Sequence, residues 1–183
     1  WKDGERAAVG LKRALDGQEV DVYLDRNDVK TGGRISAFMD RLVRGDFVFV
    51  VISEAYLRSE ACMYELFGIW RRAKSDPEIF LTCVIPIVLP GACIGRPEER
   101  VTHATYWDER YTAYEALMRK NAQLVAPEDF ATFKKICEYR VNTSSILFLL
   151  NDRLIPRDLD ELERTGFAAV IELVSQRPRA ERA

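Results

Sequence analysis

The chain has 183 residues, of which 48% are apolar and 31% are charged, and its formal net charge is −2. This length suits one domain, or one domain with a modest appendage, and the composition is typical of a globular protein rather than a disordered one. The nearly balanced charge gives no electrostatic reason to expect direct binding of nucleic acid. The longest apolar runs, Phe47–Ile52 and Ile146–Leu150, are far too short to span a bilayer, so we expect no membrane association.

Cysteine and histidine are sparse. The cysteines stand at positions 62, 83, 93 and 137 and form no CxxC pair, and His103 is the single histidine. These residues do not predict a zinc site, and a reducing cytoplasm is the simplest setting for them. A Ser-His or Cys-His hydrolase would have to use His103, which stands in a charged segment that we interpret as a loop. We therefore expect no metal, no hydrolase of that kind and a cytoplasmic protein.

The sequence starts at Trp1, without a signal peptide, and its first element reads as a helix with no strand before it, so we expect a piece of a longer protein. Apolar residues at helical spacing predict this helix from Glu5 to Leu15. Alternating residues predict a strand at 19–24, and the segment Asp25–Gly33 has the composition of a turn-forming loop. An amphipathic helix is then expected over 35–45.

Two continuous apolar segments follow, at 47–52 and 83–89. Such segments are typical of parallel strands covered on both faces. Pro86 removes one ladder donor, which places the second strand at or next to an edge of the sheet. Between these strands, a helix is expected over 54–74, with Ser53 as its cap. Strands and helices that alternate in this way predict an α/β fold with a doubly wound parallel sheet.

The pattern weakens after Pro90. Residues 91–110 read as a loop, with a short turn or strand around Tyr106 and Trp107. Two helices are expected beyond it. The first carries one stripe of residues, interpreted as packing, at Phe130, Phe133, Cys137, Val141, Ser144 and Phe148. In the second, Asp158 caps a helix whose apolar positions are Leu159, Leu162, Val170 and Leu173.

In a doubly wound sheet, ligands bind beyond the carboxyl ends of the strands. One carboxylate near that edge is unusual, because the helical neighbours of Glu65 are Ala61, Cys62, Gly68 and Ile69, and none of them is a cation. A carboxylate among small and apolar groups is typical of a functional acid. The alternative is that Glu65 lies at the edge of an apolar stripe and extends into water.

The segment from Val51 to Leu66 carries the most specific pattern in the chain, a hydrophobic strand followed by Ser-x-x-Tyr-x-x-Ser-x-x-Cys-x-x-Glu-Leu. Its members are Ser53, Tyr56, Ser59, Cys62, Glu65 and Leu66. This arrangement resembles the third strand and following helix of Toll/interleukin-receptor (TIR) domains. Flanking segments resemble other TIR elements in order. They are 1–5 (after the first strand), 22–25 with 32–35 (second strand and BB loop), 84–89 (fourth strand) and 106–107 (Phe-Trp box).

The resemblance implies a flavodoxin-like TIR fold whose first strand is missing from this sequence. It places the TIR domain at 1–125, with helices at 126–183 that pack on the core or lead to a further domain. The chain is most similar in style to bacterial TIR proteins of antiphage defence, which implies cleavage of NAD+ to nicotinamide and ADP-ribose or a cyclic product. NAD+ is then the substrate, and no other cofactor is expected.

Carried over residue by residue, the resemblance makes Glu65 the catalytic group, opposing positive charge on the ribose as the N-glycosidic bond breaks. The residues expected to bind substrate are Trp1, Lys2, Asp25, Gly32, Gly33, Ser53, Tyr56 and Cys62. The loop Asp25–Gly33 is expected to gate the site and to carry the contacts of a homo-oligomer or filament. A sensor domain or sensor protein outside this sequence is expected to promote that assembly.

Two alternatives stand beside this interpretation. The chain could be a TIR module that assembles without catalysis, although Glu65 favours the enzyme because non-catalytic members often lack an acid there. An unrelated flavodoxin-like domain, such as a receiver, would need a clustered acidic pocket and a lysine after the last strand. Neither feature is found in the sequence.

Overall fold

The computed structural model describes residues 4–16, 47–152 and 159–176. Helices and strands are labelled in chain order within these ranges. They are α1 (Glu5–Leu15), β1 (Val48–Ile52), α2 (Glu54–Leu57), α3 (Glu60–Arg72), α4 (Pro77–Cys83), β2 (Val84–Val88), α5 (Pro97–Lys120), α6 (Pro127–Asp152), α7 (Leu159–Arg164) and α8 (Ala168–Ser175). A short 3₁₀ turn at Ala122–Leu124 joins α5 to α6.

The α/β class is confirmed, and helix α1 has the predicted bounds. The strand predicted at 19–24, the loop at 25–33 and the helix at 35–45 lie outside the described residues. The same is true of Asp158 as a cap.

Strands β1 and β2 pair in parallel, in a register that runs from Val48 opposite Val84 to Ile52 opposite Val88. The amide of Leu89 extends the ladder by donating to the carbonyl oxygen of Ile52, at 2.8 Å. Parallel neighbours need a crossover connection, which helices α2 to α4 provide. Both predicted strands, and their parallel pairing, are therefore confirmed.

Pro86 stands opposite Val50 and is buried. Among the described strands, β2 pairs with β1 alone. The position of β2 at or next to a sheet edge, and the full doubly wound flavodoxin-like order, stay predictions.

Helices α1, α7 and α8 share one apolar core with both strands. Its buried members are Ala7, Leu11, Leu15, Ile87, Leu89, Leu159, Leu162, Phe167 and Val170. Phe49 and Val51 of β1 pack against this core, while Val48, Val50 and Ile52 are buried on the opposite face of the strand. β1 is therefore covered on both faces, as its continuous apolar sequence predicts.

The single helix predicted over 54–74 is wrong, because the chain forms α2 and α3 with a break at Arg58 and Ser59. The side-chain oxygen of Ser59 accepts from the amide of Cys62 at 3.4 Å. This is the geometry of an N-cap, which starts a new helix instead of continuing the old one.

Helix α4 was not predicted. Asp76 caps it by accepting from the amides of Glu78 and Ile79, at 2.9 and 3.1 Å, and Pro77 occupies its first position. The sequence pair Asp-Pro is a known helix start. The helix is only seven residues long and runs directly into a strand, so its apolar residues do not show a helical period.

The loop predicted over 91–110 is also wrong, since α5 is a continuous helix from Pro97 to Lys120. Its buried face carries Arg100, His103 and Trp107. Because two of these residues are polar, the apolar periodicity that predicts a helix is missing. The start signals are nevertheless present: Pro97 follows the cap residue, and the Glu99 carboxylate accepts from the amide of Arg96 at 2.9 Å.

Helix α6 confirms the first predicted C-terminal helix, but its packing face was predicted wrongly. The buried residues are Ile136, Tyr139, Thr143, Ile146, Leu147 and Leu150. Phe130, Val141 and Phe148 of the predicted stripe are more than half exposed. Helix α6 is apolar on two opposite faces, so spacing alone could not identify the buried one.

The second C-terminal helix is two helices, α7 and α8. Gly166 and Phe167 between them both have positive φ angles, 60° and 58°. The amide of Phe167 donates to the carbonyl oxygen of Leu162 at 2.7 Å, and that of Gly166 to Glu163 at 3.0 Å. These two bonds form a Schellman motif, which ends α7 with glycine at the left-handed position.

The described residues group into two compact units, neither of which is continuous in sequence. One contains 4–16, 47–53, 68–92 and 159–176, and the other contains 54–67 and 93–152. Helices α7 and α8 thus share a unit with the strands. The predicted division into 1–125 and 126–183 stays a prediction.

Candidate functional site

The break between α2 and α3 shapes the segment that carries most of the predicted site. The amide of Ser59 donates to the carbonyl oxygen of Tyr56 at 3.1 Å, which tightens the end of α2. The backbone then turns, and the amide of Met63 donates to the carbonyl oxygen of Ser59 at 2.9 Å as α3 begins. Tyr56 therefore lies before the break, and Cys62 and Glu65 lie after it.

The charges of Glu65 and Cys62 both act on the hydroxyl of Tyr56. All three side chains are partly buried. Burial of the hydroxyl is the largest cause that raises the pKa of Tyr56 well above its ordinary value, and the charges of Glu65 and Cys62 raise it further. At neutral pH the phenol keeps its proton, as an ordinary tyrosine does, and here it does so near a carboxylate. A carboxylate and a phenol donor in one partly dry place can bind a sugar hydroxyl and oppose positive charge on the ring.

One turn of α5 contacts both sides of the break. The indole Nε1 of Trp107 donates to the carbonyl oxygen of Leu57 at 3.0 Å, and the Tyr106 hydroxyl donates to that of Arg58 at 3.3 Å. Arg110 forms an ion pair with Glu60, the first residue of α3. These three α5 side chains lie within five consecutive residues, so a single helical turn holds the end of α2 and the start of α3.

A second group on α5 fixes the loop that follows β2. The buried Arg100 guanidinium donates to the carbonyl oxygens of Ile94 and Gly95, at 3.1 and 2.9 Å. The Nε2 atom of His103 lies 3.3 Å from the carbonyl oxygen of Cys93. Since a carbonyl only accepts, His103 holds its proton on Nε2. His103 is a buried helix residue that binds backbone, and its predicted loop setting is wrong.

The structure brings together three of the predicted site residues, Tyr56, Cys62 and Glu65. Ser53 directly follows β1 and directly precedes α2, and its predicted role in binding substrate stays a prediction. The remaining predicted site residues lie outside the described residues. They are Trp1, Lys2, Asp25, Gly32 and Gly33.

Tyr106 and Trp107 were not predicted as site residues. Their similarity to the Phe-Trp box of TIR domains was a usable signal. The predicted loop or short strand around them gave no reason to expect contacts with α2 and α3, because only a helix places Tyr106, Trp107 and Arg110 on one turn.

Within the described ranges, no group of His, Cys, Asp or Glu residues could hold a metal ion. Of the four cysteine side chains, Cys93 alone is exposed and the others are partly buried. No helix in the same ranges is long and apolar enough to cross a membrane.

The family profile described as TIR domain matches residues 1–120. The match covers more than half of the chain, which therefore belongs to the TIR domain family. No curated protein and no solved structure matches the chain at a significant level.

Proposed function

We propose that this protein is an NAD+ glycohydrolase, which breaks the bond between nicotinamide and ribose and gives ADP-ribose or a cyclic product. The observation that carries the proposal is the coupling of the Glu65 carboxylate to the partly buried Tyr56 phenol on the segment that matches the TIR motif. TIR domains serve as signalling modules or as NAD-cleaving enzymes, and this acid–phenol pair favours the enzyme.

The chemistry follows from the charges. As the N-glycosidic bond lengthens, nicotinamide leaves with the bonding electron pair and the ribose gains oxocarbenium character. A carboxylate beside the ring opposes that charge, and its effect is larger in a partly dry site than in water. Water, or a nucleophile within the same substrate, then adds to the ribose.

Tyr56 fits a supporting role in the same step. Its hydroxyl is protonated at neutral pH, as that of an ordinary tyrosine is, and burial and the charge of Glu65 raise its pKa further. It can therefore donate a hydrogen bond to a ribose hydroxyl, or to Glu65 itself, throughout the reaction. We assign Glu65 as the catalytic group and Tyr56 as a substrate-binding group.

The proposal includes activation by self-assembly in bacterial antiphage immunity, in the cytoplasm. TIR domains associate with themselves and with partners, and the segment Asp25–Gly33 corresponds to the BB loop of the family. A sensor domain or sensor protein would raise the local concentration and turn inactive monomers into an active array.

The test is incubation of the protein with NAD+ over a wide range of protein concentration, with release of nicotinamide as the readout. We expect release that depends on Glu65 and whose specific activity rises with protein concentration. Glu65→Ala, compared at matched assembly state, is expected to remove it. Absence of nicotinamide release from the wild type at every concentration, including under conditions where it assembles, would favour the non-catalytic signalling module instead.

A further inference from the structure

We propose that one turn of α5, carrying Tyr106, Trp107 and Arg110, is a positioning element that sets Tyr56 against Glu65 by holding the break between α2 and α3. This inference rests on the proposed function for its catalytic consequence. Its structural part stands on contacts that are independent of any reaction.

Helix α2 depends on contacts outside itself. A helix of four residues cannot persist by itself, because nucleation costs more than one turn of hydrogen bonds returns. Its last carbonyl groups also lack partners within the helix. The side chains of Trp107 and Tyr106 donate to two of these carbonyl oxygens, those of Leu57 and Arg58. The end of α2, one or two residues from Tyr56, is therefore anchored by α5.

The start of α3 is also held by α5. Glu60 is the first residue of that helix and pairs with Arg110. A negative side chain in the first turn stabilises a helix. The ion pair of Glu60 with Arg110 also fixes the position of the first turn of α3 relative to α5. Tyr106 and Arg110 are separated by one helical turn on α5, so the distance between the two anchors is set by a rigid element.

Trp107 is itself held in place by aromatic contacts. The side chain is fully buried, and its ring meets that of Tyr139 edge to face, with centroids 5.0 Å apart. Tyr139 in turn contacts Phe67, two residues after Glu65, with centroids 4.8 Å apart. Aromatic contacts of this kind are directional. The α5 turn is therefore linked to α3 on both sides of Glu65. Arg110 pairs with Glu60, which precedes Glu65, and Trp107 contacts Tyr139, which contacts Phe67 after Glu65.

Position matters here because the group that opposes an oxocarbenium ion acts over a short distance. A displacement of about 1 Å can cost roughly 10²-fold in rate. A residue that only stabilises the fold would change the melting temperature without changing kcat well below that temperature. A positioning residue would lower kcat more than it raises KM, since the misplaced carboxylate weakens the transition state more than the ground state.

The experiment uses Tyr106→Phe, Trp107→Phe and the double variant. Each single substitution keeps an aromatic ring and removes one donor, and the double variant removes both. The matched controls are Tyr114→Phe, which removes a hydroxyl that donates to Asp129, and Trp70→Phe, whose indole meets Phe80. We expect kcat to fall by about 10²-fold in the double variant, with KM nearly unchanged, and to stay at the wild-type value in both controls.

A second readout does not need activity. The phenolate absorbance of Tyr56, obtained as the difference between each protein and the same protein carrying Tyr56→Phe, reports the titration of Tyr56 facing Glu65 and Cys62. Loss of the α5 anchors is expected to shift its midpoint towards that of an ordinary tyrosine, whereas the controls keep the wild-type midpoint.

The outcomes separate the two proposals. If the wild type releases no nicotinamide but the midpoint shifts in the double variant, the proposed function fails and the positioning element stands. If the wild type is active and the double variant keeps both its kcat and the Tyr56 midpoint, the positioning element is overturned. Should Trp107→Phe not fold, Tyr106→Phe alone decides by the same two readouts, because its side chain is only partly buried.

Discussion

Gly10 of α1 lies close against the edge of the Phe167 ring. A Cβ atom added at Gly10 would come within 3.2 Å of two atoms of that ring. Phe167 is 3% exposed, so its ring is enclosed by the core and has little room to move away. The glycine therefore permits the close approach of α1 to the turn between α7 and α8.

This contact predicts opposite effects for two helical glycines. A Cβ atom added at Gly68 in α3 would meet no atom within 4 Å. Gly68→Ala should therefore raise the free energy of unfolding by roughly 0.5–1 kcal/mol, because alanine has the higher helix propensity. Gly10→Ala gains the same propensity but overpacks the core, at a cost of about 1–3 kcal/mol. Denaturant unfolding of both variants is the measurement. Equal stabilisation by both substitutions would contradict the packing at Phe167.

Glu65→Gln should lower kcat by about 10²–10³-fold, because it removes a charge contact made in the transition state. The amide is nearly isosteric with the carboxylate, so the melting temperature should change little. Glu109→Gln, at an exposed position of α5, is the matched control and should keep wild-type turnover. Unchanged kcat in the Glu65 variant, at equal assembly state, would rule out the catalytic role.

The raised pKa of Tyr56 predicts a loss of stability at high pH. In the unfolded chain the phenol releases its proton near its ordinary pKa of about 10. The folded protein retains it to a higher pH, because burial, Glu65 and Cys62 oppose the phenolate. The unfolded state therefore binds fewer protons above about pH 10, and the free energy of unfolding falls as pH rises.

Two other tyrosines, Tyr111 and Tyr114, also have raised pKa values, caused first by desolvation. The measurement is therefore the difference between the wild type and Tyr56→Phe in stability against pH. We expect the wild type to lose stability more steeply above pH 10. Parallel curves would show that Tyr56 titrates as an ordinary surface tyrosine.

Self-association through the segment Asp25–Gly33 predicts a dependence of activity on this loop. Gly33→Pro, or charge reversal at Arg34 and Asp28, should lower specific activity while leaving the melting temperature of the monomer unchanged. Titration of protein concentration against nicotinamide release, with sedimentation of the same samples, is the measurement. Specific activity that stays constant over that range in a protein that remains monomeric would show a site complete in one chain.

The shared core of α1, α7, α8 and the strands predicts that the family match at 1–120 is not a stable unit by itself. A chain ending at Asp152 loses the core members from Leu159 to Val170, and should unfold at a lower temperature and with poor cooperativity. A chain ending at Gln176 keeps all of them and is the matched control. The measurement is calorimetry of the two truncated chains. Equal melting temperatures would show that α7 and α8 do not stabilise the core they share with α1 and the strands.

Helix α1 and strands β1 and β2 were predictable because in each of them the buried positions in the structure are apolar positions in the sequence. The apolar spacing of α1 and the continuous apolar strands β1 and β2 report burial directly. The Ser-x-x-Cys part of the TIR motif gains a physical reason as well, since Ser59 caps α3 by binding the amide of Cys62.

The remaining elements depend on contacts that local spacing does not record. Helix α5 turns Arg100 and His103 inward to bind backbone carbonyl groups, so its buried face looks polar in the sequence. On α6, Val141 is exposed while Tyr139 is buried. Tyr139 is buried because its ring packs against Phe67 and Trp107, and not because it is the more hydrophobic residue. The Tyr56 and Glu65 positions were predicted from the motif, but the turn of α5 beside them required the fold.

The ion pair between Arg6 and Asp160 joins residues 154 positions apart in the chain. At a synthesis rate of 5–20 residues per second, about 8–30 s pass between the emergence of the two partners from the ribosome. During that interval the apolar face of α1 has no α7 or α8 to cover it, and neither do Ile87 and Leu89. A nascent chain of this protein would therefore present a binding site for chaperones until α7 and α8 are made, and premature termination before α7 would leave that site permanently open.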